Sequence, residues 1–248
     1  MRVEAGNKVL IGGFIITGNA PKSVAVRGIG PSLAAFGIND VLVDPTLELH
    51  SADGGLILQN DDWQDNLAQA AQLSALGLAP QDSKESGIVA TLPPGAYTAI
   101  LAGKNSGAGI GLVEIYDTNQ TVDSRLANLS TRGLVQTGTN VMIGGFILSG
   151  SSNTRIAVRG LGPSVGLNPP LADPTLELHD GNGALLAAND NWQDDAASSA
   201  ELTSYGLALP NPNESGIFTS LPSGQFTAIV AGKNGGTGIG LVEVYNIN

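Results

Sequence analysis

Residues 9–18 read VLIGGFIITG and residues 141–150 read VMIGGFILSG. DPTLELH is doubled in the same way, at residues 44–50 and again at 173–179. The offset between copies is 132 residues at the first pair and 129 at the second, so one short indel separates two otherwise collinear modules. A tandem repeat follows. Any site proposed in one copy has to be explained in the other, and an active centre is seldom built in duplicate.

Around these repeats, copy one offers short runs rich in Val, Ile, Leu, Thr and Tyr at residues 9–17, 23–29, 46–50, 56–59, 87–92, 96–102 and 110–116, cut by Gly, Pro, Asn and Asp. Copy two repeats the series in order. Such runs predict strands. SADG at 51–54 with DGNG at 180–183, and LPPG at 92–95 with LPSG at 221–224, predict the hairpin turns. One helix interrupts each series. Leu67, Ala70, Ala71 and Leu73 lie at helical spacing, with Asp65 or Asn66 to cap and Gly77 to stop, and Ala196, Ala200, Leu202 and Gly206 match them. Seven strands and little helix predict an all-β chain of two tandem antiparallel β-sandwich modules, jelly-roll-like, over residues 1–117 and 135–248. Residues 118–134 have no counterpart before Arg2 or after Asn248. They read as a linker or as an exchanged strand, and as a strand they leave the other module with an unpaired edge that a neighbouring chain can fill, head to tail.

Composition narrows the function classes. With 11 Lys and Arg against 22 Asp and Glu, a net charge of −11 opposes binding to phosphate backbones. No cysteine is present, which removes disulfides, thiol nucleophiles and thiolate metal sites. Charged residues make up only 13% while glycine reaches 34 of 248, a low-charge, turn-rich balance that fits extracellular β proteins. Apolar runs fall short of the roughly 20 residues that span a bilayer, so no membrane insertion is expected. Residues 1–5 carry no apolar signal core, and an exported form is expected to be mature or excised from a longer chain.

Two resemblances bear on the fold and the setting. The DPTLELHSADG run at 44–54 with GAYTAI at 95–100, and DPTLELHDGNG at 173–183 with GQFTAI at 224–229, distantly resemble the hairpin and following strand of bacterial pre-peptidase C-terminal domains. RLANLSTRG at 125–133, followed by IGGF, VRGLGPS and NDNW, is similar to a module found, often in several copies, in large secreted proteins of Verrucomicrobia-like bacteria. The resemblance implies export and a surface location. It carries over no catalytic residues.

Several constellations invite chemistry. Asn60, Asp61, Asp62 and Asp65, with Asn189, Asp190, Asp194 and Asp195 in copy two, gather the hard oxygen donors that Ca²⁺ takes, although the EF-hand spacing is absent and the same side chains serve Asx turns and helix caps. Position 62 is Asp in the first copy and Asn191 in the second. Trp63 and Trp192 sit beside these clusters, either facing solvent to stack on a sugar or sealing the sandwich against the helix. Arg27 and Arg159 lie inside apolar strands, where they are expected to be paired internally, with Asp44 and Asp173 or with Glu114 and Glu243. His50 and His179 end the DPTLELH strands without a G-x-S-x-G or H-E-x-x-H partner motif, and Glu48 and Glu177 lie in separate modules and so cannot share one glycosidase cleft. The glycine-rich stretches at 28–31, 103–111 and 232–240 lack the helix and Lys-Ser/Thr of phosphate loops and read as turns. Three sequons, at Asn119, Asn128 and Asn213, are open to glycosylation only in a host with the machinery.

The expected function is therefore that of a secreted or cell-surface structural protein rather than an enzyme: a spacer, an adhesive stalk or an extracellular filament subunit that partners copies of itself. It requires no cofactor. The alternative is a Ca²⁺-dependent or carbohydrate-binding recognition module, with glycans or surface proteins as partners.

Overall fold

The first glycine of each IGGF shows how the sandwich closes. A Cβ on Gly12 would stand 2.9 Å from the Val113 side chain, and one on Gly144 would stand 2.9 Å from Val242. Those valines belong to the opposite sheet, so glycine here lets two sheets approach more closely than any side chain would allow. In the computed structural model, which describes residues 1–247, the chain divides into two compact units, Met1–Ala127 and Asn128–Asn248.

The first unit contains β1 (Arg2–Val3), β2 (Leu10–Gly18), β3 (Lys22–Ile29), β4 (Pro45–Ser51), β5 (Leu56–Asn60), α1 (Leu67–Ala75), β6 (Ser86–Leu92), β7 (Gly95–Gly103), β8 (Gly109–Ile110) and β9 (Leu112–Asp117). Strand β10 (Ser124–Val135) begins there and runs on past the unit boundary. One sheet takes the order β2-β7-β4-β5, with β10 beside β2, and the other takes β6-β3-β9. All the long pairings are antiparallel, and apart from the β4–β5 hairpin successive strands cross from one sheet to the other, as in a jelly roll. Alternation along β2 and β4 buries Leu10, Phe14, Ile16, Leu47 and Leu49 on the inner face. Val24, Val26 and Ile88 are buried from the facing sheet.

The second unit holds the end of β10, then β11 (Met142–Leu148), β12 (Thr154–Leu161), β13 (Pro174–Asp180), β14 (Leu185–Asn189), α2 (Ala196–Ser204), β15 (Ser215–Leu221), β16 (Gly224–Gly232) and β17 (Gly238–Asn246). Its sheets run β11-β16-β13-β14 and β15-β12-β17-β10. The two tandem modules are all-β antiparallel sandwiches with one short helix each. The indel falls where the first unit has the 3₁₀ turn Pro31–Phe36 and the second only Pro163–Val165. Residues 118–134 are in large part strand: Asn128 to Val135 pair antiparallel with Tyr245 to Gly238. Of the two residues expected to cap the first helix, Asn66 does so, its side chain accepting from the N–H groups of Ala68 and Gln69, while Asp195 caps the second.

Candidate functional site

Four of the polar sets that recur in both units centre on charged side chains, and in each the structure shows which atoms are engaged. In the first set, Arg27 projects from β3 beside Glu114 of β9. Its Nε donates to the Glu114 carboxylate at 2.8 Å, its Nη1 to the Leu78 carbonyl at 3.1 Å and its Nη2 to the Tyr116 hydroxyl at 3.2 Å. Arg159, Glu243, Leu207 and Tyr245 repeat the set. Of the acids expected for these arginines, Glu114 and Glu243 are the partners. Asp44 and Asp173 are not; cross-strand register puts Arg27 opposite Glu114, whereas each Asp immediately precedes its own strand. Burial raises the pKa of both tyrosine hydroxyls, and the adjacent carboxylate adds to the effect.

Asp44 and Asp173 belong instead to a lysine-centred cluster. Lys104 pairs with Asp61 and lies 3.9 Å from Asp44, and Lys233 lies 2.5 Å from Asp190 and 3.8 Å from Asp173. The hydrogen bonds to Asp61 and Asp190 raise the pKa of both lysines, which keeps each ammonium charged. Carboxylate oxygens of Asp44, Asp61 and Asp62 all lie within 4.8 Å of one another, and Asp44, Asp61, Asp173 and Asp190 each keep one buried, unpartnered Oδ1. The donor type fits Ca²⁺, but an ammonium already supplies the countercharge in each unit.

Other members of the expected oxygen cluster are used elsewhere. Asn60 and Asn189 accept the N–H groups of Gly87 and Gly216 at 2.8 Å and donate to the carbonyls of Asp62 and Asn191. Asp62 pairs with Lys84 at 3.1 Å. Asp65 and Asp194 close turns through their own N–H groups, Asp194 also accepts from Asn191, and Asp195 is spent on its helix cap. These are the turn and cap roles that short polar side chains take in loops. Trp192 is 7% exposed and packs with Ala157, Leu161, Leu202 and Leu209, so the stacking face expected for a sugar is inside the core; Trp63 is half-buried and donates to the Asp82 carbonyl at 3.2 Å.

The third set was not singled out in the sequence. Glu85 is fully buried, and its Oε1 accepts from the N–H groups of Gly30 and Ser32, each at 3.0 Å, and from the Ser32 hydroxyl at 2.6 Å. Its Oε2 accepts from the Asp82 N–H at 3.3 Å. Glu214 does the same with Gly162, Ser164 and Asn211. The Gly-x-Gly-Pro-Ser loop thus does cradle an anion, as a nest of N–H groups can, but the anion is the protein's own carboxylate. A Cβ on Gly30 would stand 2.0 Å from the Leu42 carbonyl oxygen, which requires glycine there. The repeated Glu-Ser-Gly at 85–87 and 214–216 was the available signal.

The fourth set is His50 and His179. In each, Nε2 faces a carboxylate (Glu48 at 2.8 Å, Glu177 at 2.9 Å) and Nδ1 faces a carbonyl (Gly54 and Gly183, both at 3.1 Å). Two acceptors on one ring favour the doubly protonated imidazolium, and the carboxylate hydrogen bond raises both pKa values.

No protein-family model matches the chain, and no curated protein matches it. Among solved structures it is similar to the atomic structure of Sulfolobus Turreted Icosahedral Virus, with 14% identity, a TM-score of 0.27, and coverage of 99% of this chain and 88% of that one. The crystal structure of the STIV MCP gives 15%, 0.27, 99% and 93%. Tandem CBM51 modules of Sp3GH98, a family 98 glycoside hydrolase from Streptococcus pneumoniae SP3-BS71, give 10%, 0.27, 100% and 83%. At these identities and TM-scores the likenesses assign neither a family nor a role.

Proposed function

We propose that the chain is a structural repeat protein of the cell exterior, a spacer or filament subunit whose value lies in shape and in contacts with further copies of the same module. One observation carries this reading: the polar sets that recur in both units are engaged in holding each sandwich together. Arg27 and Arg159 clamp strands, Glu85 and Glu214 fix the Gly-x-Gly-Pro-Ser loops, and Lys104 and Lys233 hold the acidic loops. Duplicated investment in rigidity suits a load-bearing or space-filling element. Low charge and the resemblance to repeated secreted modules support a location outside the cell.

The test is sedimentation and negative-stain electron microscopy of the purified chain over a wide concentration range. Concentration-dependent, linear assemblies are expected, and a chain that stays monomeric throughout would remove the filament reading. The convergence of Asp44, Asp61 and Asp62 oxygens favours one second reading, a Ca²⁺-dependent module. A calcium titration followed by thermal unfolding separates the two, because only the second predicts a stabilised first unit.

A further inference from the structure

Alternation along three strands of the first unit turns ten residues outward from the sandwich: positions 11, 13 and 15 of β2, every second residue from 96 to 102 of β7, and positions 46, 48 and 50 of β4. Nine of these ten are the same residue in the second unit, Ala96 against Gln225 being the exception. On the inner face of the same strands four of ten have changed, with Leu10, Ile16, Tyr97 and Leu101 standing against Met142, Leu148, Phe226 and Val230. The solvent side of this sheet has thus drifted less than the core. Packing alone produces the reverse, because surface substitutions usually cost little.

Bonds within each unit account for part of this identity. The Thr46 hydroxyl donates to the Ala102 carbonyl at 3.3 Å, and His50 lies between Glu48 and the Gly54 carbonyl. They leave Ile11, Gly13, Ile15, Thr98 and Ile100 unexplained. Gly13 and its counterpart Gly145 are the most informative, since a glycine inside a strand weakens it and marks a bulge, a bend or the close approach of another backbone. Pairing runs through both glycines without a register shift, and neither has a positive φ. A Cβ on Gly145 would meet nothing nearer than the Phe226 carbonyl oxygen, at 4.0 Å. Nor does an open sheet edge select the residue, because β2 is flanked by β7 and β10. Close approach from outside the sandwich is the cause that remains.

The helix of each unit packs on the opposite sheet, against β6 or β15, so it does not cover this face. Register arranges the face in rows. Ile11, Ile100 and Glu48 form one, and Gly13, Thr98 and His50 the next; the second unit repeats both. Glu48 and the ring of His50, held protonated by its two acceptors, are the charged groups among the ten positions, and they offset each other. In a chain of net charge −11, this is a face on which two copies meet without stacking like charge. We infer that it docks on the same face of a second copy of the chain, the sheets packed face to face about a twofold axis that lies across the strands, between the two rows. Rotation about that axis sets one row on the other. Ile11 enters the gap over Gly13, Ile100 covers Thr98 and Glu48 comes over His50, each reciprocally. A patch four strands wide and seven residues long covers roughly 400 Å². A standard interface buries about 800 Å² per partner, so one unit docks weakly, and the second face of each chain adds avidity.

This inference rests on the proposed structural role and names the face through which copies meet. The test compares sedimentation velocity of the full chain with that of Gly13→Val combined with Gly145→Val. It also follows maleimide labelling of a single cysteine, Thr98→Cys on the face or Ser74→Cys on the exposed side of α1, in a chain that has no other cysteine. Valine fills the gaps and favours strand, so the melting temperature is expected to hold or rise while association weakens at least tenfold. Labelling of Thr98→Cys is expected to slow at least tenfold as the chain is concentrated, and labelling of Ser74→Cys to stay constant. Association of the valine variant equal to that of the parent would overturn the assignment. So would labelling of Thr98→Cys that ignores concentration, or equal slowing at both cysteines. Should the valine variant melt below the parent, the labelling decides alone. If the chain assembles while Thr98→Cys stays reactive, another contact builds the assembly, so the inference fails and the structural role stands. Closed dimers that protect Thr98→Cys and never lengthen give the reverse for a filament.

Discussion

Replacing Glu85 with glutamine tests whether a buried carboxylate organises each sandwich. Glu85 is fully buried, and three donors converge on Oε1 while the Asp82 N–H meets Oε2. Hydrogen bonds to a charged acceptor contribute about 1.5–3 kcal/mol and neutral ones about 0.5–1.5 kcal/mol, so neutralising the acceptor of three bonds costs about 3 kcal/mol. The new amide also turns an N–H toward the Asp82 N–H. Glu85→Gln is therefore expected to remove about 3 kcal/mol from a unit whose total stability is about 5–15 kcal/mol, and Glu85→Ala, which leaves four donors unmet, to cost more. The assay is urea unfolding followed by tryptophan fluorescence. The Trp63 N–H donates to the Glu85 carbonyl at 2.8 Å, so Trp63 reports the first unit, and a Trp192→Phe background isolates its signal. Glu214→Gln should lower the second unit by a similar amount. A Glu85→Gln midpoint within about 0.5 kcal/mol of the parent would refute the reasoning, because that is the range of an ordinary surface substitution.

Lys22 is 1% exposed and donates to Asp117 at 2.9 Å and to the Asn119 carbonyl at 2.7 Å, while the equivalent places in the second unit hold Thr154 and Asn246. Asp117→Asn alone strands a buried ammonium and should cost about 3–5 kcal/mol. Adding Lys22→Thr should recover most of that loss in a double-mutant cycle, and additive losses would contradict the pairing. For His50 and His179 the folded pKa is raised above the ordinary 6.5, so their contribution is fully present below pH 6.5 and is lost as pH rises through the raised value. Melting temperatures should fall across that window, and His50→Gln with His179→Gln should flatten the slope; an unchanged slope would show that the rings do not titrate there. Lys104→Met removes the ammonium beside Asp44 and Asp61, and should destabilise the first unit in calcium-free buffer. Millimolar Ca²⁺ should restore the melting temperature of this variant far more than it raises that of the parent, and equal responses would show that lysine and cation do not compete for the site.

The repeat, the succession of strands along the chain and the helices were legible because they rest on local pattern: alternation that buries Leu47 and Leu49, glycine at the turns, and short polar side chains before a helix. Strand limits expected at 9–17, 56–59 and 87–92 differ by only one residue at any end from Leu10–Gly18, Leu56–Asn60 and Ser86–Leu92. Partner choice was not local. Arg27 had two acids within its own copy, and cross-strand register, which sets Arg27 opposite Glu114, decided between them. The burial of Glu85 depends on a loop 53–55 residues away, and that of Trp192 on a helix and a sheet meeting over it, so neither could be read from neighbours in sequence. Residues 118–134 were visible as the part without a counterpart. Their pairing with β17 required the tertiary structure, because hydrogen-bonded ladders join residues that the chain itself holds more than a hundred positions apart.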